Sequence, residues 1–160
     1  MDVTFEIYGY WRSIMCQVNT FMFKEGELDG EKVMSITSIF REAGFTNFYE
    51  YNNPHLRNIR RDLRLFQCGN LCDCGSVLTK KVVVDEFMEK AESEKLCQII
   101  SKCLDVVGTI YLFTHWYKNN GTFAKEKVNL ERAPRKVDVS LLSEETFRSM
   151  FYNEVLEITK

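Results

Sequence analysis

Residues 109–117 constrain the fold of this chain more than any other stretch, because they are apolar on both faces. Ile110, Leu112 and Trp116 alternate with Tyr111, Phe113, His115 and Tyr117, which is the two-residue period of a strand. A strand with apolar residues on both sides belongs in the interior of a sheet. The rest of the chain must therefore supply strand neighbours and a cover.

Such neighbours are legible. Val3, Phe5, Ile7 and Trp11 alternate with polar or tyrosine positions, and Ile14, Cys16 and Val18 carry the alternation on. Residues 45–51 read as a short aromatic strand. Residues 122–130 read as a polar return strand after a turn at 118–121. Val137, Val139 and Leu141 alternate after Pro134, and residues 154–159 close the chain as a strand. Helical spacing is equally plain. Asp29 stands as an N-cap before Val33, Ile36, Ile39, Phe40 and Ala43, with Gly44 as the stop. Pro54 opens a second predicted helix with Leu56, Ile59, Leu63 and Phe66 as its stripe. Residues 85–107 form a third, with a break near Ser93 and Gly108 as terminator. Ser143 caps a short fourth, whose first turn carries Glu144 and Glu145. The pattern predicts an α+β fold, mainly an antiparallel sheet with two or three helices packed on it in a single layer, and one domain over residues 1–160.

Composition agrees with a packed interior. The 160 residues are 45% hydrophobic and 28% charged, with a net charge of −2. A chain of this length buries roughly 70% of its unfolded surface and needs no covalent staple to fold. The near-neutral charge gives no general pull toward nucleic acid. The first residues carry no basic, then apolar, leader pattern. The best apolar run, 106–113, is far shorter than the roughly 20 residues that cross a bilayer. A cytoplasmic protein with reduced thiols and no membrane contact is the expectation.

The most distinctive local feature is Cys68-Gly69-Asn70-Leu71-Cys72-Asp73-Cys74-Gly75. Glycines let the backbone curl, and thiolates are soft ligands suited to zinc. Cys68, Cys72 and Cys74 supply three ligands of four. His115, His55 or Cys16 could complete the set, with His115 the named candidate. Against this, the spacing is not a paired knuckle, and a tight loop of packed or redox-labile thiols explains the same residues. Cys16, Cys97 and Cys103 fall among apolar positions and read as packing residues.

Just upstream, Arg57, Arg61 and Arg64 fall at helical spacing on one predicted face. Residues 54–81 hold six Lys or Arg against two Asp, a local +4, whereas 82–107 hold six acids against three Lys, a local −3. Clustered arginines suit phosphates or carboxylates. A solvated helix face paired with the acidic helix is the plainer account. The aromatics Trp11, Tyr49, Tyr51, Trp116 and Tyr117 suit a core, or stacking if exposed.

Catalytic templates fail in turn. No phosphate-binding loop, dinucleotide fingerprint or nucleophile elbow is written in the chain. His115, set among aromatics, reads as a structural residue rather than a general base, although a thiol or His115 enzyme is a third option. The expectation is a small non-catalytic binding protein that covers or sequesters a macromolecule, most simply a protein, in the manner of immunity or inhibitor proteins. The alternative is a metal-stabilised nucleic-acid-binding module built from the cysteine loop and the arginine face.

Overall fold

The computed structural model describes residues 15–45, 48–51, 61–68, 86–118, 133–148 and 154–160. Strand β1 (Met15–Lys24) leads through a 3-10 turn to helix α1 (Gly30–Glu42) and strand β2 (Phe48–Glu50). Strand β3 (Leu63–Cys68), helix α2 (Glu86–Leu104) and strand β4 (Thr109–Lys118) follow. Strand β5 (Arg135–Asp138), a 3-10 turn (Val139–Leu141), helix α3 (Glu144–Arg148) and strand β6 (Val155–Thr159) complete the order. The six strands make one sheet in the order β2-β3-β1-β4-β6-β5. All neighbours are antiparallel except β5 and β6, which run parallel, so the sheet is mixed. The predicted α+β architecture holds, and β4 is interior, between β1 and β6.

Both faces of the central strands are buried. On one face Phe21, Phe23, Phe66, Ile110, Leu112, Leu156 and Ile158 meet the helices. On the other, Met22, Leu63, Leu65, Tyr111, Phe113 and Val155 form a second cluster with Tyr51 against it. The alternation of residues 110–113 thus sorts as the sequence requires.

Helix α1 forms where its signals place it. The Asp29 carboxylate accepts from the Lys32 backbone N–H at 2.9 Å, satisfying one of the first-turn donors. At the other end Gly44 adopts φ 97°, a conformation that costs glycine little. Gly44 N–H donates to the Arg41 carbonyl at 2.9 Å and Phe45 N–H to that of Phe40 at 3.0 Å. That pair of bonds, with the Phe45 ring edge-on to Phe40 at 6.1 Å, is a Schellman ending. The buried Ile36 and Phe40 are each worth about 1.5–3 kcal/mol of transfer free energy. Phe40 stacks on Phe48 at 3.9 Å between centroids, and Phe48 on Phe66 at 5.3 Å, tying α1 to β2 and β3.

Four expectations need correction. Residues 61–62 are a turn and Leu63–Cys68 is a strand, so the helix read from residue 54 does not extend to Phe66. Pairing with β1 and β2 on either side overrides the helical spacing. Helix α2 runs through Ser93 unbroken, with Ser93 buried. It also stops at Leu104, before Gly108: the N–H groups of Asp105, Val106 and Val107 return to carbonyls of Lys102 and Cys103 and close the last turn. Finally, Val139 and Leu141 lie in a 3-10 turn, because Asp138 accepts from the backbone N–H and hydroxyl of Ser140 and curls the chain out of β5. The strand expected over 3–11 and the return strand over 122–130 lie outside the described residues.

Candidate functional site

Of the three arginines, the two described, Arg61 and Arg64, do not share the helical face that the spacing implied. Arg61 sits exposed in the turn before β3, and Arg64 lies on β3 itself. Two nitrogens of the Arg64 guanidinium donate to the Glu50 carboxylate at 2.8 and 2.7 Å, and its carbon stands 5.9 Å from the Phe66 ring centroid. The bidentate bond to Glu50 raises the pKa of Arg64 further. Its work in this arrangement is to strap β2 to β3. Arg57 lies outside the described residues.

Cys68 ends β3 and His115 lies on β4; Cys72 and Cys74 lie outside the described residues. Residue 115 stands opposite Val18, and Cys16 opposite Tyr117. Residues 16, 68 and 115 therefore share one end of the sheet, where β1 begins and β3 and β4 finish. They do not share a row. By strand parity positions 16 and 115 belong with Thr20 and Phe113, whereas position 68 belongs with Phe48 and Phe66. Among the described residues, no three Cys, His, Asp or Glu side chains gather as a metal site.

The thiols whose surroundings are described are poor nucleophiles. Cys103 is fully buried in the helix-side core, and burial pushes its pKa up to about 12. Cys97 is half-buried; burial raises its pKa first, and the neighbouring Glu94 carboxylate adds to the rise. Both are held as thiols at neutral pH.

What sequence reasoning missed is the outer surface of the helix layer. Helix α2 packs against α1 on one flank and against α3 and the Val139–Leu141 turn on the other. A cleft of about 470 Å³ opens on the first flank, lined by Ile39, Glu42, Lys95, Gln98, Ile99 and Lys102. A second, of about 450 Å³, opens on the other, lined by Ser93, Glu94, Cys97, Gln98, Leu142 and Glu144, with Ser143 between the last two. Two large apolar side chains are exposed on elements that flank α2, Met34 on α1 at 71% exposure and Leu141 on the 3-10 turn at 70%. Among the described residues only Tyr49, at 43%, joins them as a large exposed apolar group. Leu141 was legible only as a member of an apolar alternation, and Met34 stands outside the Val33, Ile36, Ile39 and Phe40 stripe read for its helix. Nothing in such a pattern marks the residue left outside.

No protein family, characterised protein or solved structure matches this chain in comparison. No helix among the described residues is long and apolar enough to cross a membrane.

Proposed function

We propose that this is a non-catalytic binding protein that covers a protein partner with the outer face of its helix layer. The observation that carries the proposal is the paired exposure of Met34 and Leu141 on elements that flank α2. Met34 stands outward on α1, opposite the buried Ile36 and Phe40, with Glu31, Ser38 and Arg41 exposed around it. At 71% exposure Met34 presents a flexible, polarisable side chain at the surface, the character of an interface anchor. Adjacent helical elements pack about 8–10 Å apart. A standard interface covers about 800 Å² per partner, wide enough to reach across three such elements. The clefts on the two flanks of α2 give relief into which a partner's side chains can key. The nucleic-acid alternative loses its simplest support, since Arg61 and Arg64 do not share a helical face.

Photo-reactive residues placed at 34 and at 141 test this. Both should cross-link to one and the same protein. Met34→Asp and Leu141→Asp should each weaken binding to that protein, once purified, by at least about tenfold. Their melting temperatures should stay near wild type, because neither side chain is in the core. Cross-links to unrelated proteins from the two positions, or undiminished affinity in both variants, would end the proposal.

A further inference from the structure

We infer that two copies of this chain join edge to edge through β5, in antiparallel register about Val137. Strand β5 ends the sheet order, and among the described residues no strand pairs with its outer side. An edge strand carries a row of backbone N–H and C=O groups that a further strand can take up. Lys136 and Asp138 are exposed, while Arg135 and Val137 are half-buried. A two-fold axis at right angles to the sheet makes such a contact self-complementary and pairs one residue of β5 with its own copy. Centred on Lys136, the pairing sets lysine against lysine. Centred on Val137, it sets Lys136 opposite the second copy's Asp138, twice, and Val137 opposite Val137.

Both rows then continue across the join. Within one copy Val137 stands opposite Ile158 and packs on the helix-side core, so an apolar row runs Ile158, Val137, Val137, Ile158. On the other face Lys136 stands opposite Glu157 and Asp138 opposite Thr159. That row runs Glu157, Lys136, Asp138, Thr159, with acid and base in turn. Asp138 keeps its charge for this. Its Oδ1 accepts from the hydroxyl and the backbone N–H of Ser140 at 2.5 and 2.8 Å, and those bonds hold its pKa below the usual carboxylate value. Arg135 is held by Glu154 at 2.9 Å and takes no part. Parallel pairing of the two strands would set Lys136 beside Lys136. The other edge offers no such match. Strand β2 has three residues, self-pairing about Tyr49 sets Phe48 against Glu50, and Glu50 is already held by Arg64. Pairing about Val137 keeps both helix layers on one side of the joined sheet, so the surface proposed for the partner is presented twice in one direction.

A contact between four-residue edges belongs to the weak class, below about 1,200 Å² in total, so the dimer should grow in as concentration rises. Sedimentation velocity on the full chain under reducing conditions, through a concentration series, reads it. Lys136→Glu and Asp138→Lys should each weaken association about tenfold, since each turns two attractive pairs into repulsive ones. Mixed in equal amounts, the two variants should recover it, because every facing pair across the axis is then opposite in sign. Circular dichroism checks that each variant is folded. Val137→Cys gives a second reading that does not depend on charge. Position 137 meets its own copy, so mild oxidation should link two chains beyond the wild-type background, whereas Tyr49→Cys on the β2 edge should not. If Asp138→Lys loses its fold along with the Ser140 bonds, the Val137→Cys link decides the matter. A chain that stays monomeric throughout the series, a mixture of folded variants no more associated than its components, or linking at 49 equal to that at 137 overturns the inference.

Discussion

Cys103 shows how one side chain ties stability to pH. It lies at 0% exposure among Ile99, Ile100, Leu104 and Val107, and its pKa is pushed up to about 12 by burial. In the unfolded chain the thiol ionises near its ordinary value of 9.0. Between the two, the folded state holds a proton that the unfolded state has released. Stability contributed by this group is therefore complete below pH 9 and falls as pH rises toward 12, by about 1.4 kcal/mol per unit. Urea midpoints measured from pH 8 to 10.5 should drop for the wild type. In Cys103→Val the part due to this thiol should vanish, so the variant's stability relative to wild type should climb with pH. A parallel pair of curves would show that Cys103 is not sealed. Cys103→Ser, which sets a hydroxyl in an apolar site, should cost about 1–3 kcal/mol at neutral pH by the same denaturation assay.

At the scale of elements, α1 was legible because its signals are local and redundant. The Asp29 cap, the Ile36/Phe40 stripe and the Gly44 stop agree with one another. Gly44→Ala tests the last of these. A Cβ there would meet only Lys95 Nζ at an ordinary 3.5 Å, so the cost comes from the backbone at φ 97°. We expect a loss of about 1 kcal/mol or more in urea unfolding. Gly26→Ala, where nothing lies within 4 Å of the added carbon, should cost less than half of that. Strand β3 was misread for a physical reason. Leu63 and Phe66 satisfy a helical spacing, but Leu63 and Leu65 equally satisfy alternation, and six residues cannot choose between periods. The choice is made by β1 and β2, which sit on either side of β3 and are distant in sequence. The candidate site was less legible than the fold. The Arg64 partner, Glu50, lies on a different strand, and the clefts arise from packing between α2 and elements far along the chain.

For the molecule as a whole, burial on both faces of the sheet makes the middle of the sheet the last part to open. Leu112 and Phe113 are adjacent on β4, each at 0% exposure, and belong to different clusters, one facing the helices and one facing away. Loss of either cluster must therefore weaken β4. The edge strands differ: β2 has three residues and β5 alternates between half-buried and exposed positions. Amide exchange should follow that order, with Phe21–Phe23 and Ile110–Phe113 slowest and Arg135–Asp138 fastest among the strands. Phe113→Ala, acting from the face away from the helices, should cost about 3–5 kcal/mol and should speed exchange at Ile110 and Leu112, which face the other way. Met34→Ser, on the outside of the helix layer, should stay within about 0.5 kcal/mol of wild type and leave the exchange order unchanged. If Phe113→Ala instead loosened only the residues of its own cluster, the two faces would be energetically separate, and the sheet would not be the single cooperative frame on which the helix-layer surface depends.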